Sequence, residues 1–299
     1  MAALALAAAL SATPCLADWR KELGTFRIGI VEAQARQHSP AELDKIRAAY
    51  ATTLGMPVEI IQSKDFPSLI DAHASSRIEY AVYTAEAYAA SALACECVEP
   101  LAAPVAEDGS AGVRAVLIAD AGLSISAIAS SKGIGVPGLD DMAVYGVALA
   151  SFQSGGQRLT GTDSWIRAEN GVRGVISGFA NGRLDGFFSA VPSRLSMAGV
   201  LAPGTPVADE VLKSGRKAKA VWLSEIIPFG PHAVRKNLAP EAKALLAGML
   251  SGLAAADPEM SDLLLPEGMV AFALVQHSAY GLALDATKAL AEVALSPKP

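Results

Sequence analysis

Glu32, Gln34, Arg36 and His38 fall within one nine-residue stretch, Val31-Glu-Ala-Gln-Ala-Arg-Gln-His-Ser39, directly after the apolar run Phe26 to Val31. A carboxylate, an amide, a guanidinium and an imidazole at the end of a strand can grip a small polar ligand, because open α/β sheets bind beyond the carboxyl ends of their strands. Each of the four also suits a solvated loop. Tyr83 and Thr84 take the equivalent place after the run Ile78 to Val82. Catalytic chemistry has less to work with. No Gly-x-Ser-x-Gly elbow surrounds Ser189 or any other serine. His73, His232 and His277 are scattered without a partner spacing, as surface or helix histidines are. The glycines from Gly171 to Gly178 have the wrong spacing for a dinucleotide fingerprint. Cys95-Glu-Cys97 can close a small ring, bind a metal or stay reduced; with no second Cys or His pair at zinc spacing, a turn pair that oxidises in an oxidising compartment is the simplest reading. The residues therefore point to binding, with no catalytic group, metal or cofactor expected.

The elements that would position them are those of one or two compact domains. The 299 residues are 52% hydrophobic and 18% charged, enough for a core that needs no disulfide scaffold. A net charge of -6 without a basic cluster would repel a phosphate backbone, so no nucleic-acid partner is expected. Met1 to Ala17 combines an apolar run, a Pro14 break and small residues at Cys15 and Ala17, the form of a cleaved secretory leader, although no basic residue precedes the run. Pro14 stands where a lipid-anchored Cys15 would want a small residue.

Short β-branched runs alternate with longer 3.6-period runs, the mark of parallel sheets covered by helices. Strands are expected over Phe26 to Val31, Pro57 to Ile61 and Ile78 to Val82, with helices from Pro40 to Leu54, over Phe66 to Ala74 and from Thr84. A second series has strands at Arg114 to Ala119, Gly133 to Val136 and Leu184 to Phe188, with helices at Leu123 to Ala129, near Asp140 and over Gly171 to Ala180. Amphipathic helices over Pro240 to Ala256 and His277 to Val293 are long enough to pack back on the first series. Extended crossings near Ala111 to Ala119 and Lys219 to Ser224 divide the chain into two α/β lobes, 18–114 with 223–299 and 115–222, joined by a two-strand hinge with a ligand cleft between them. A single large doubly wound domain is the alternative.

Three segments carry a family resemblance: Arg77-Ile-Glu-Tyr-Ala-Val-Tyr-Thr-Ala-Glu-Ala-Tyr88, Glu99-Pro-Leu-Ala-Ala-Pro104 with Asp108-Gly109, and Trp222-Leu-Ser-Glu-Ile-Ile-Pro-Phe-Gly-Pro-His-Ala-Val-Arg235 with Leu238-Ala-Pro-Glu241. In order and spacing the chain resembles the phosphate/phosphite/phosphonate solute-binding proteins of ABC transporters. The resemblance implies a periplasmic binding protein of type II fold, a monomer whose partners are a small-molecule ligand and a membrane permease. It also implies an oxyanion gripped by a Ser-Thr-Ser-Gly run at a helix N-terminus. Aligned on Gly133 to Gly138, that run reads Asp140-Asp-Met-Ala-Val-Tyr145 here, so the hydroxyls are absent. The family's His falls near Gly171-Val-Arg173, and the Asp of Gly182-Arg-Leu-Asp185 is kept.

An Asp at such an N-cap accepts from the N–H groups an anion would use and adds a negative charge. At about 4 Å, two like charges repel by about 4 kcal/mol at an effective dielectric near 20. Either the anion sits elsewhere, on Arg173 or Arg36, or the ligand is not an oxyanion. The candidate ligand residues are Tyr83, Thr84, Asp141, Asp185, Arg173, Arg36 and Glu32. The alternative functions are a sensory binding protein read by a membrane histidine kinase, or a periplasmic enzyme or redox protein using Cys95 and Cys97.

Overall fold

Local chemistry sets the first elements. A computed structural model describes residues 18–295, so the expected leader over 1–17 lies outside the described residues. Trp19–Leu23 (α1) precedes Phe26–Val31 (β1), which runs into a single turn, Glu32–Ala35 (α2). Pro40–Leu54 (α3) begins on a capping box: Glu42 Oε2 accepts from the Ser39 N–H at 2.6 Å, and Ser39 Oγ accepts from the Glu42 N–H at 3.3 Å. Val58–Ser63 (β2), Phe66–Ala74 (α4), Tyr80–Val82 (β3), Ala85–Cys95 (α5) and Val98–Ala106 (β4) complete the first stretch. Cys95 and Cys97 are disulfide-bonded around Glu96, whose φ of 51° ends α5.

Gly112–Asp120 (β5) and Ile134–Val136 (β6) open the second stretch. The helix expected near Asp140 is one wide turn, Met142–Gly146, continued by Val147–Ser151 (α6). A small hairpin, Gln153–Ser154 (β7) and Gln157–Arg158 (β8), leads to Ile166–Ala168 (β9), Gly171–Ala180 (α7), Gly186–Pro192 (β10) and Pro206–Lys213 (α8). Ala218–Leu223 (β11), Ile227–Pro228 (β12), His232–Arg235 (β13), Pro240–Ala256 (α9), Pro258–Leu264 (α10), Met269–Leu274 (β14) and Gly281–Leu295 (α11) finish the chain.

These strands form two six-stranded sheets, each the centre of an α/β lobe. The first has the order β14-β4-β13-β3-β1-β2, and the second β11-β5-β10-β6-β9 with β12 also on β5. Parallel pairs (β1 with β2 and β3; β6 with β9 and β10) are flanked by antiparallel ones. The pairing moves both expected boundaries. Gly112 to Arg114 already pair in the second sheet, and Leu223, Ile227 and Pro228 still pair with β5. The chain passes between sheets at 107–111 and 229–231, because an apolar run does not reveal which sheet a strand will join. Gly112 is needed there: a Cβ on it would stand 2.0 Å from the Ile227 carbonyl oxygen.

In the first lobe α3 and α9 cover Phe26, Ile28, Tyr80 and Val234 on one face. Leu69, Ile78, Ala81, Tyr83 and Tyr88 fill the other, beneath α4 and α5. The second lobe is centred on Phe152, Phe188 and Tyr145 on one side and on Phe179, Phe187 and Val116 on the other. Helix α11 departs from expectation. Instead of resting on the first lobe alone it lies against α5 and also against the wide turn and α6 of the second. Its Leu290 side chain and Ala286 carbonyl approach to about 3.1 Å of where a Cβ on Gly146 would be. The apolar face of an Ala/Leu helix has no preference that sequence could express for one lobe over the other.

Candidate ligand-binding cleft

Two helix N-termini meet where the lobes face each other, and each is already capped by its own chain. On the first lobe, Thr84 Oγ1 accepts from the Ala87 N–H at 3.1 Å. On the second, Asp141 Oδ1 accepts from the Val144 N–H at 3.0 Å, while the Asp141 carbonyl accepts from the Tyr145 and Gly146 N–H groups at 2.9 and 3.0 Å. The Asp141 carboxylate thus occupies amide hydrogens of the kind an oxyanion would need. Partial burial raises the Asp141 pKa, against the pull of the Val144 and Ala143 N–H groups, and Asp140 raises it further.

Across from it, Glu86 stands in the first turn of α5. Its pKa is raised by partial desolvation first and then by the charges of Asp141 and Asp140. Three carboxylates from two lobes therefore lie within electrostatic reach of one another. The return passage is pressed against this wall: a Cβ on Gly230 would sit 2.0 Å from the Tyr83 carbonyl oxygen and 2.6 Å from Thr84 Cα. The Tyr280 hydroxyl pins the same passage by donating to the Phe229 carbonyl oxygen at 2.7 Å. Beside the two passages a recess of about 440 Å³ takes walls from both sheets, with Glu107, Asp108 and Ser110 as its polar side chains. Asp108 is held below the usual carboxylate range by Arg194, 2.6 Å away, and by the Ser110 N–H.

The expected ligand residues are dispersed by the fold. Thr84 and Asp141 come to the facing helix ends. Tyr83 does not: it is buried, with its hydroxyl 3.0 Å from His73 Nδ1 and 3.3 Å from Ser91 Oγ, and burial pushes its pKa up to about 12. It shares a strand face with Ala81 and points into the core under α4 and α5. Asp185 is at the wrong end of its sheet. Its Oδ2 accepts from the N–H of Lys132 at 2.8 Å; Lys132 precedes β6, whereas Asp141 follows it. Arg173 is exposed in the first turn of α7, which begins where the Gly171 N–H donates to the Pro137 carbonyl. It shares the sheet edge of Asp141 and forms no ion pair with it. Glu32 and Arg36 pair with each other at 3.2 Å on the exposed side of α2. Gln34 is spent on backbone, accepting from the Val31 N–H at 3.0 Å.

Glu86 was not among the expected residues. A carboxylate in the first turn of a helix reads as a partner for the helix dipole, and its proximity to Asp140 and Asp141, more than fifty residues away, has no signal in the sequence. Among the described residues no group of three or more His, Cys, Asp or Glu side chains could hold a metal ion. No described helix is long and apolar enough to cross a membrane.

With this geometry in place, the comparisons with known proteins are specific about family. The profile described as ABC transporter, phosphonate, periplasmic substrate-binding protein matches residues 28–280. A Xanthomonas citri protein solved with bound ATP superposes with a TM-score of 0.58 at 13% identity, covering 91% of this chain and 98% of its own. The Mycoplasma hyorhinis protein Mh-p37, described as a putative thiamine pyrophosphate transporter, superposes at 0.56 with 9% identity over 89% and 98%. A binding-protein component of a Pseudomonas aeruginosa ABC phosphonate transporter is 18% identical, with a TM-score of 0.47 over 86% and 83%. No curated protein matches the sequence.

Proposed function

Since this chain belongs to the periplasmic phosphonate-binding family of ABC transporters, we propose that it closes its two lobes over a small ligand that is cationic rather than a phosphonate, and presents the closed form to a membrane permease. The observation that carries the reading is Asp141. Its carboxylate caps the helix end where an oxyanion would sit, with Asp140 and Glu86 in electrostatic reach. A phosphonate placed there would face like charge from both lobes, about 4 kcal/mol for each pair at 4 Å and an effective dielectric near 20. An ammonium or similar cation would neutralise it. Closure turns on the passages at 107–111 and 229–231, where Gly230 lets the returning chain touch the backbone of Tyr83 and Thr84. No bond is made or broken; differential affinity for the closed form is the whole mechanism.

Thermal unfolding of the mature chain against a panel of phosphate, phosphite, methylphosphonate, alkylamines, choline and thiamine tests this. A ligand present at one hundred times its Kd stabilises by about 2.7 kcal/mol, so binding shows as a concentration-dependent rise in Tm. Cations are expected to raise Tm and the phosphorus oxyanions to leave it unchanged. Stabilisation of the wild type by methylphosphonate would overturn the reading. Oxyanion binding that appears only in Asp141→Ser would identify the carboxylate as the excluding group.

A further inference from the structure

Inside the first lobe, away from the passages between the sheets, lies a cavity of about 400 Å³. Its floor is the covered face of the central strands. Phe26, Ile28, Val58 and Tyr80 on that face are sealed, yet Ile30, Ile60 and Val82 beside them are only half-buried. These three aliphatic side chains line the cavity, and α3 reaches it with Leu43, Ile46 and Tyr50, while Leu263 to Leu265 close it from the end of α10. Protein interiors are packed to near crystal density, so an aliphatic recess of this size in the middle of a sheet face is a feature to be filled. Its volume falls within the roughly 300–1,000 Å³ of small-molecule sites.

One polar side chain looks into it from the sheet. His232, at the start of β13, is 2% exposed and lines the cavity. Its Nδ1 is engaged by the Tyr80 hydroxyl, which in turn bonds the Tyr50 hydroxyl at 2.8 Å. With Nδ1 engaged in this way, Nε2 is the ring nitrogen that remains to meet a ligand. Burial drives the imidazole pKa down to about 3, so at neutral pH the ring is uncharged and offers one hydrogen-bonding atom whose role follows the tautomer that the tyrosine pair sets. Gln34, Gln37 and His38 from the polar stretch after β1, which the ligand cleft leaves unused, and Glu42 from the first turn of α3 add polar lining.

We propose that this cavity is a second binding site, taking a neutral and mostly hydrocarbon small molecule whose single hydroxyl, carbonyl or amide hydrogen-bonds His232 Nε2. An anion at that depth would find no counter-charge and would meet Glu42, Asp262 and Glu267 in the lining, and a cation would have to give up its water for the aliphatic floor of Ile30, Ile60 and Val82. The hydrocarbon body covers Ile30, Ile60 and Val82, the polar group completes the Tyr50–Tyr80–His232 chain, and neither requirement depends on what the cleft between the lobes binds.

The test uses 4-fluorophenol as probe and 4-fluorobenzoate as its charged counterpart, with the full mature chain carrying labelled isoleucine methyl groups. Saturable binding of the phenol is expected to shift the methyl signals of Ile30, Ile46 and Ile60 and to leave Ile227, in the second sheet, unmoved; the benzoate is expected to shift none. Ile60→Trp and Ile30→Phe, which fill the cavity from two different strands, should each weaken phenol binding at least tenfold, and Asp141→Ala should not change it. Absence of saturation in the wild type, movement of the Ile227 signal instead, or unchanged affinity in a folded cavity-filling variant would overturn the proposal. The methyl map of the wild type decides the matter even if neither filled variant folds.

Discussion

The two lobes bury their rings in different company. In the first, tyrosines meet histidines: Tyr80 lies between Tyr50 and His232, Tyr83 between His73 and Ser91, and the Tyr88 hydroxyl is 2.7 Å from His277 Nδ1. In the second, Phe152 meets Phe188 and Trp222 edge-on at 5.3 and 5.4 Å, and Phe179 meets Phe187 at 5.5 Å. The second core is held by dispersion and apolar burial, with edge contacts adding about 0.5–1.5 kcal/mol per pair. The first adds hydrogen bonds between groups that titrate. Protons should therefore act on one lobe and hardly on the other.

The largest effect expected tests the dry core. Phe188→Ala removes the ring that Phe152 and Trp222 enclose and should cost about 3–5 kcal/mol in urea unfolding, by nearly the same amount at pH 5 and pH 7.5. A cost that varied strongly with pH would erase the contrast between the lobes. Acid unfolding comes next. Burial holds the His73 pKa down to about 4 and that of His232 to about 3. Below its ordinary value near 6.5, each histidine binds a proton more readily in the unfolded chain, so stability falls as pH drops from about 6.5 toward those values. For His73 alone the loss should reach about 3 kcal/mol by pH 4. His73→Gln should flatten the dependence of the urea midpoint on pH; an unchanged slope would count against the histidine as its source.

Removing a cap should matter less. Asp141→Ala and Thr84→Ala are each expected to cost about 0.5–2 kcal/mol in the same unfolding measurement, and a loss confined to one of them would show that the two facing helix ends are not equivalent. The smallest effect is electrostatic. Asp141→Asn removes a charge that raises the Glu86 pKa, so the carboxyl titration of Glu86, followed by NMR, should move toward the ordinary glutamate value. If it stays in place, the two carboxylates do not face each other in solution.

What the sequence revealed follows the range of the interactions involved. Helices α3, α4, α7 and α9 were readable because their limits are set within a few residues, as with Ser39, Pro40 and Gly55 around α3. The family was readable because order and spacing persist along the whole chain. Strand membership was not: β5 begins inside a run that also borders the first sheet, and β12 pairs across more than a hundred residues. In the cleft, Asp141 could be anticipated as a cap, since capping is local. Tyr83 could not be oriented, because a period of two sorts side chains onto two faces without saying which face looks toward ligand. Glu86, Asp140 and Asp141 become neighbours only when the two lobes meet.

The way the chain threads its two sheets also sets an order of events. The second sheet is made entirely from one uninterrupted stretch, Gly112 to Pro228, and the two ends of that stretch are paired, Ile227 with Val113 and Pro228 with Gly112. The first sheet must recruit β13 and β14 from beyond it to lie beside β3 and β4. Closing so long a loop in an unfolded chain is an entropic cost that contacts far apart in sequence must overcome. Once the inner lobe has folded, that loop is already closed, and β13 emerges within a few residues of its partners. The lobe that the chain interrupts is therefore expected to complete its sheet last, so pulse-labelled hydrogen exchange during refolding should protect β5 and β10 before β13 and β14.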